Sequence, residues 1–320
     1  MMEKRYIGVD LGGTSMKMGV VDGTGHIVCE MEQPTLGQEG PDGVIKRMIS
    51  HARDLANQSG TPWDQIGGIG VGLPGFLDIP NGVVKHLTNL GWNEVPIRDR
   101  LQAAWELPVV INNDANVAAL GEAWCGAGAG VDDVVCITLG TGVGGGIIAG
   151  GRLIQGMNGF AGEIGHIQMD PRGYQCNCGQ TGCLETISSA TGMVRMAMEG
   201  LNEGRVSILK EMVPGQNQLT TRDLFAAAAR NDKLAQEVID RAIDALARAL
   251  AILSVVLNPA RFIIGGGVSK AGDALFEPLR LAYGKVTQKN AAQGVEILPA
   301  KLGNQAGIIG AAGLIARSPN

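Results

Sequence analysis

The chain of 320 residues is long enough for two domains, each able to bury its own core. A formal net charge of −5, without any dense run of Lys and Arg, argues against a nucleic-acid-binding protein held by a basic surface. The 49 glycines show no collagen period and indicate many tight turns, which leaves sites for small anionic ligands open.

The N-terminal sequence MMEKRYIGVDLGGT enters a strand pattern within a few residues and contains no apolar segment of a secretory signal. The most apolar helical window, Leu246–Leu257, contains Arg248 and ends before Asn258–Pro259. It is too short to span a bilayer and predicts a buried core helix. The sequence therefore predicts a cytoplasmic protein, in which structural disulfides are disfavoured.

Two segments share one pattern of strand, glycine turn, strand, glycine turn and strand. They are Val9–Val28 and Ile137–Ile154, and chance similarity in a glycine-rich chain is the alternative explanation. Alternating helices and strands follow each segment. After the first, a helix is predicted over 42–58, a strand over 66–72, a helix over 98–105 and a strand over 108–112; after the second, helices are predicted from Glu185 and Asp232, a strand over 261–267 and a closing helix over 304–316. The repeated order predicts two related α/β domains with mixed sheets and a ligand site between them.

The first segment contains DLGGT, Asp10–Thr14, and the second contains LGTG, Leu139–Gly142. Each turn offers backbone N–H groups and a threonine hydroxyl to a phosphate, and Asp10 is suited to organise Mg²⁺. The alternative is a pair of ordinary hairpins in which Asp10 only caps a turn. A third glycine turn, Ile263–Lys270, can place a flat ring against the backbone or can simply connect a strand to a helix.

The second segment also matches G-x-G-x-x-G at Gly140, Gly142 and Gly145, with Glu163 about twenty residues further on. In a dinucleotide-binding domain this motif opens a helix, whereas here the sequence continues as an apolar strand. A G-x-x-x-x-G-K-[ST] motif is absent from the sequence. Phosphate binding by hairpin turns is therefore favoured over both motifs.

Asn113 and Asp114 follow the predicted strand over 108–112 and begin a predicted helix. A carboxylate at the carboxyl end of a strand faces the crevice of an α/β sheet, and the helix dipole favours its ionised form. Asp114 is therefore a candidate general base for an attacking hydroxyl, and the alternative role is an N-cap. The segments Gly72–Asp78 and Asn89–Trp92 are predicted as loops that can reach the ligand, with Trp92 as an ordinary core aromatic.

Three of the six cysteines are Cys176, Cys178 and Cys183, and His166 precedes them. One imidazole and three thiolates form a complete structural zinc set, and the alternative, free core thiols, fits poorly with a polar, glycine-rich loop. Cys29, Cys125 and Cys136 lie in apolar patterns and predict buried packing.

Glu163 and Glu185 flank this zinc set in the sequence. With the second nitrogen of His166 they can accept and donate hydrogen bonds to the hydroxyls of a polyol. The alternative is that both glutamates are solvated surface acids.

Together, GVDLGGTSMKMGVVD, GVGLPGFLD, NNDANVAALGE, LGTGVGGGII, GFAGEIGH and CNCGQTGCLE resemble the ROK sugar kinases over nearly the whole chain, most closely the bacterial ATP-dependent glucokinases among them. The resemblance implies an α/β, duplicated actin/Hsp70/hexokinase-like (ribonuclease H-like) two-domain fold with a cleft between the domains. The small domain is expected at 1–112 plus 304–320 and the large domain, carrying the zinc loop, at 113–303. The resemblance also implies that the two domains close over glucose and that the protein forms homodimers.

The same resemblance implies a role for individual residues. Asp114 activates the 6-hydroxyl of glucose, and Asn113, Glu163, His166 and Glu185 hold other hydroxyls, with Asn89 as a further candidate. Asp10, Gly12, Gly13, Thr14, Thr141 and Gly142 face Mg²⁺ and the phosphates of ATP, Gly266 and Gly267 lie beside the nucleoside, and His166, Cys176, Cys178 and Cys183 bind structural Zn²⁺.

Several alternatives remain open within this resemblance. Mannose, fructose, allose and N-acetylmannosamine kinases share most of these residues, and polyphosphate is an alternative donor. Some ROK proteins are repressors with a helix-turn-helix ahead of the DLGGT-like turn. Only nine residues precede Asp10 here, which disfavours a DNA-binding regulator.

Overall fold

A computed structural model describes residues 4–212 and 219–318. The β-strands in these residues are β1 (Arg5–Leu11), β2 (Ser15–Val21), β3 (Ile27–Pro34), β4 (Ile66–Leu73), β5 (Phe76–Asp78), β6 (Val83–Leu87), β7 (Trp92–Val95), β8 (Val109–Asn113), β9 (Val134–Leu139), β10 (Val143–Ala149), β11 (Arg152–Leu153), β12 (Arg261–Gly265) and β13 (Glu296–Pro299). The α-helices are α1 (Gly40–Gln58), α2 (Ile97–Trp105), α3 (Asp114–Cys125), α4 (Glu185–Ser188), α5 (Ala190–Asn202), α6 (Leu209–Met212), α7 (Thr221–Ala229), α8 (Lys233–Leu257), α9 (Asp273–Val286), α10 (Lys289–Ala292) and α11 (Ala306–Ala316).

The first sheet has the strand order β3-β2-β1-β4-β8. Strands β1, β2 and β3 form an antiparallel meander, and β4 and β8 continue the sheet in parallel with β1. The register places Asp10, Gly72 and Asn112 in one row at the carboxyl ends of the three parallel strands. Residues in register on parallel strands project to the same face, so Asp10 and Asn112 lie on one face of the sheet.

The second sheet repeats this organisation with the order β11-β10-β9-β12-β13. Strands β10 and β11 form an antiparallel hairpin, and β12 is parallel to both β9 and β13. The two sheets confirm the predicted pair of meanders, each followed by parallel strands.

Helix α11 packs closely against the first sheet and α3, and this packing depends on glycine. Most residues of this helix are buried, and it packs against β1, β4 and α3. A Cβ atom at Gly70 of β4 would collide with the carbonyl of Ala311, and one at Gly310 would collide with the carbonyl of Val117 in α3. Backbones at this separation leave no room for side chains, so both positions need glycine.

Several predictions require correction. Gly72–Asp78 is not a loop throughout, because Gly72 and Leu73 belong to β4 and Phe76–Asp78 forms β5. In Asn89–Trp92, the first two residues lie in a short 3-10 turn and only Trp92 belongs to a strand, β7. Strands β5 and β7 pair with β6 in a small antiparallel sheet. Trp92 at the start of β7 is a core residue, as predicted.

The predicted helix from Glu185 consists of two helices, because Ser189 ends α4 and its side chain caps α5. The predicted strand over 261–267 ends at Gly265, before the turn at Gly266. Among the cysteines outside the predicted zinc set, Cys136 is buried, but Cys29 and Cys125 are only half-buried.

The chain divides into two compact units. The first contains the described parts of Met1–Asp132, Gly146–Gly162 and Lys301–Asn320, and the second contains Asp133–Gly145 and the described parts of Glu163–Ala300. These divisions fall at positions other than 112/113 and 303/304, and the domain boundaries expected there stay a prediction. In the part of the chain that the structure describes, every helix is too short or too polar to cross a bilayer.

Candidate active site

Asp114 begins α3 directly after β8, at the carboxyl end of a parallel strand. The N-cap is Asn113, whose Oδ1 accepts a hydrogen bond from the backbone N–H of Ala115 at 2.9 Å. Oδ1 of Asp114 accepts from the same N–H at 2.8 Å. The capping role considered for Asp114 therefore belongs to Asn113, and the carboxylate of Asp114 lies in the first turn, where the helix dipole favours negative charge.

Asp10, at the end of β1, lies in the electrostatic field of Asp114. The pKa of Asp10 is raised to about 6, because burial and the charge of Asp114 raise it by more than the charge of Lys17 lowers it. Lys17 is directly opposite Asp10 on β2. The Asp10 carboxylate also lies against Gly307 in the first turn of α11, since a Cβ atom there would collide with it.

The turn after Asp10 is held by main-chain and side-chain hydrogen bonds. The N–H of Gly12 donates to the carbonyl of Ser15 at 2.8 Å, and Thr35 Oγ1 donates to the carbonyl of Gly12 at 2.7 Å. Gly13 and Thr14 are exposed. A Cβ atom on Gly13 would lie 3.6 Å from Cβ of Asn89, so the structure brings Asn89 next to this turn.

In the second unit, two further predicted turns are neighbours. The N–H of Gly140 donates to the carbonyl of Gly142 at 3.0 Å, which closes the turn around Thr141. Gly266 has a φ of 86°, and a Cβ atom there would collide with the backbone of Leu139. Both turns follow the ends of the parallel strands β9 and β12, the edge of an α/β sheet where ligands bind.

Glu185 is attached to the same turn. Its Oε2 accepts a hydrogen bond from the N–H of Val143 at 2.9 Å, and its Oε1 lies 3.8 Å from Sγ of Cys176. Glu185 is therefore not a freely solvated surface acid, because it connects the turn after Gly142 with the cysteine loop.

The predicted zinc ligands come together in the second unit. One ligand atom from each of His166, Cys176, Cys178 and Cys183 lies within 4.8 Å of the others. Cys178 Sγ and Cys183 Sγ are 3.6 Å apart, and Cys176 Sγ is 3.7 Å from Nδ1 of His166. Two sulfurs bound to one tetrahedral Zn²⁺ are about 3.8 Å apart, so the donor set and its spacing fit this ion.

His166 has different neighbours at its two ring nitrogens. Nδ1 faces Cys176, whereas Nε2 lies 3.9 Å from Oε2 of Glu163. Partial burial raises the pKa of Glu163, the charge of His166 lowers it, and the charge of Glu185 raises it further. Three of the groups expected to hold hydroxyls, Glu163, His166 and Glu185, are thus electrostatically coupled.

The family model described as the ROK family matches residues 6–318. The chain belongs to the ROK family. Glucokinase of Halalkalibacterium halodurans is 45% identical to this ROK chain over 323 residues, which cover 100% of the chain and 97% of that protein. Glucokinase of Thermotoga maritima is 38% identical over 316 residues, with 98% of each protein covered.

Among solved structures, a ROK family glucokinase from Streptomyces griseus in complex with glucose and AMPPNP is similar to this ROK chain with a TM-score of 0.79. The two are 34% identical, and the match covers 98% of this chain and 100% of that one. The actin/Hsp70/hexokinase-like fold predicted from the sequence is thereby confirmed.

Sequence reasoning missed three polar residues of the first unit. Lys17 lies opposite Asp10, a position that the β1–β2 hairpin register gives once the turn is located. Asn112 and Asn116 are buried on either side of Asp114 and are hydrogen-bonded to each other at 3.0 Å. The two asparagines are four residues apart across the start of a predicted helix, and this spacing was the signal that their side chains could meet.

Proposed function

We propose that this ROK protein is a glucokinase that transfers the γ-phosphate of ATP to the 6-hydroxyl of glucose. One observation carries the proposal: the carboxylate of Asp114 lies at the carboxyl end of β8, where its charge raises the pKa of Asp10. The chain that holds it is similar over 98% of its length to a glucokinase solved with glucose and AMPPNP. Phosphoryl transfer needs positioning, charge neutralisation and a group that orients the nucleophile.

Asp114 is the general base. The 6-oxygen of glucose forms a bond to the γ-phosphorus, the bond from that phosphorus to the β,γ-bridging oxygen breaks, and ADP leaves. The proton of the 6-hydroxyl passes to the carboxylate of Asp114. The position of this carboxylate in the first turn of α3 favours its ionised form before the reaction.

Asp10 is the candidate ligand of Mg²⁺. A hard carboxylate oxygen next to a glycine turn suits this ion, which prefers one or two carboxylates together with phosphate oxygens. When bound, the ion would neutralise part of the charge on the phosphates. Lys17, directly opposite Asp10, adds a fixed positive charge from the chain itself.

The nucleotide is assigned to the glycine turns. Gly12, Gly13, Thr14, Thr141 and Gly142 offer N–H groups and hydroxyls to the phosphates of ATP, and Gly266 and Gly267 are assigned to the nucleoside. The exposed backbone of Gly13 and of Gly266–Gly267 supports this assignment, because a ligand can approach without meeting a side chain.

Glucose is assigned to Asn113, Glu163, His166 and Glu185, with Asn89 as a further contact. The cysteine cluster would hold Zn²⁺ and thereby fix His166 and the start of α4. The fit of four donors to tetrahedral spacing supports the zinc proposal. Zinc would act structurally, since four protein ligands leave no open position for substrate.

The test is a coupled assay for ADP and for sugar phosphate across glucose, mannose, fructose, allose and N-acetylmannosamine, with ATP and polyphosphate as donors. Glucose with ATP is expected to give the highest kcat/KM. Preference for another hexose or for polyphosphate would replace the substrate assignment. Absence of phosphorylation for every pair would instead favour a sugar-binding regulator.

The Asp114→Asn variant tests the base. We expect kcat to fall by about 10²–10⁴-fold, while the Kd for glucose measured by calorimetry changes little. Asp273→Asn is the matched control, because Asp273 is the first residue of α9 as Asp114 is of α3. Near-normal kcat in Asp114→Asn would remove this residue as base.

A cytoplasmic location and a homodimer complete the proposal. ATP is abundant in the cytoplasm, and six cysteines without a disulfide among the described residues suit a reducing compartment. Sedimentation of the purified protein measures the oligomeric state.

A further inference from the structure

Two asparagine side chains are buried at the junction that carries Asp114. Asn112, in β8, is 0% exposed, and Asn116, in the first turn of α3, is 2% exposed. Burying a primary amide carries a desolvation cost that an apolar side chain of similar size does not. The pair therefore needs an explanation other than core packing.

The hydrogen bonds of this pair reach the backbone next to Asp114. Nδ2 of Asn116 donates to Oδ1 of Asn112 at 3.0 Å, and the backbone N–H of Asn113 donates to the same oxygen at 2.8 Å. Oδ1 of Asn113 and Oδ1 of Asp114 both accept from the N–H of Ala115. Residues 112 to 116 are thus joined by successive hydrogen bonds, and Asp114 takes part through the N–H of Ala115, which it shares with Asn113.

The network is not optimal for stability. Nδ2 of Asn112 and Oδ1 of Asn116 are buried and have no hydrogen-bond partner among residues 4–212 and 219–318. A buried amide pair that satisfies only half of its polar atoms stabilises the fold less than an apolar pair does. What it provides instead is a restraint on direction. The side chain of Asn112 holds the backbone N–H of Asn113, before Asp114, and the side chain of Asn116, after Asp114.

The row of residues in the first sheet connects this pair with the rest of the site. Asn112 is in register with Gly72, and Gly72 is in register with Asp10. The charge of Asp114 raises the pKa of Asp10. The direction of the Asp114 carboxylate therefore affects both its own role as base and the ionisation of Asp10.

We propose that Asn112 and Asn116 are positioning residues, which hold the start of α3 so that the carboxylate of Asp114 points at the attacking hydroxyl. The proposal rests on the proposed kinase function for its consequence in turnover. The structural consequence, a single orientation of the Asp114 side chain, is independent of that function.

The first experiment compares Asn116→Ala, Asn116→Gln and the control Val117→Ala. Val117 is the next residue of α3 and is fully buried, so its truncation lowers stability without touching the network. We expect kcat of Asn116→Ala to fall by about 10–100-fold, because small misplacements of a catalytic group have effects of this size. The Kd for glucose is expected to stay within about threefold of wild type, since ground-state binding is retained. Asn116→Gln keeps an amide donor and is expected to retain more of kcat than Asn116→Ala.

The second experiment is a crystal structure of Asn116→Ala without substrate. The side chain of Asp114 is expected to leave its wild-type orientation or to occupy two. An unchanged single orientation overturns the positioning role, whatever the assay shows. A kcat loss in Asn116→Ala no larger than that in Val117→Ala also overturns it, because the effect would then be one of stability. If the wild-type protein phosphorylated no hexose, the proposed function would be wrong. The crystal structure would still decide whether the asparagines position Asp114.

Discussion

The pKa of Asp10 provides a quantitative test of the electrostatics at the carboxyl end of β1. Burial and the charge of Asp114 raise its pKa from 3.8 to about 6. A carboxyl group whose pKa is raised on folding binds its proton more tightly in the folded than in the unfolded protein. Its contribution to stability is therefore complete below pH 3.8 and is lost as the pH rises through about 6.

The difference between 3.8 and about 6 corresponds to about 3 kcal/mol in the free energy of unfolding. Asp10→Asn cannot ionise and does not suffer this loss. In the absence of magnesium and nucleotide, we expect Asp10→Asn to be more stable than wild type by up to about 3 kcal/mol at pH 7 to 8 and equal to it near pH 3.5.

Tryptophan fluorescence during urea unfolding is a suitable measurement. All four tryptophans, Trp63, Trp92, Trp105 and Trp124, belong to the first unit, which also contains Asp10, so the signal reports on this unit. The difference between variant and wild type is measured from pH 3.5 to 8. A difference that does not change with pH, or a variant less stable than wild type at pH 8, would refute the reasoning.

Asp22 supplies a control of opposite sign in the same unit. Burial opposes its ionisation, but hydrogen bonds from Thr24 and His26 outweigh burial and lower the pKa of Asp22. A lowered pKa gives stability that is present above the unfolded value and is lost as the pH falls through the folded value. Asp22→Asn is therefore expected to be less stable than wild type at pH 7, with the difference disappearing in acid.

Two further substitutions test the metal site and the helix packing. Cys178→Ser is expected to lose zinc, measured by mass spectrometry, and glucose affinity together, whereas Cys29→Ser in β3 retains both; full glucose affinity in a zinc-free variant would make the cluster incidental. Gly310→Ala introduces a methyl group against a carbonyl of α3 and is expected to lower the free energy of unfolding by about 1–3 kcal/mol. Gly284→Ala in α9 has open space around the new methyl group and is expected to be neutral or stabilising, and equal losses at the two positions would contradict the packing argument.

The cysteine site could be predicted from the sequence because three of its ligands are close in the chain. Cys176, Cys178 and Cys183 lie within eight residues, and glycines at 179 and 182 adopt positive φ, so the loop can turn around a small volume. The structure brings the four side chains together as expected. Local spacing was sufficient here, since it limits how far apart the ligands can be.

The surroundings of Asp10 could not be predicted in the same way. The Gly307 backbone against its carboxylate comes from the opposite end of the chain, and no local pattern connects the two. The small sheet of β5, β6 and β7 was missed for another reason. Its strands are three to five residues long, and glycine turns at 75, 82 and 91 interrupt any periodicity.

The different neighbours of the two ring nitrogens of His166 suggest how the proposed zinc ion would affect the proposed sugar binding. A zinc ion on Nδ1, the nitrogen that faces Cys176, requires the ring to be neutral with its proton on Nε2. Nε2 would then donate, whereas the carboxylate of Glu163, 3.9 Å away, would accept. A sugar hydroxyl that meets both groups can accept from the imidazole and donate to the carboxylate. Without the metal, the proton can occupy either nitrogen, and that complementary pair is no longer fixed. Loss of a cysteine is therefore expected to weaken sugar binding, although no thiol is proposed to touch the sugar.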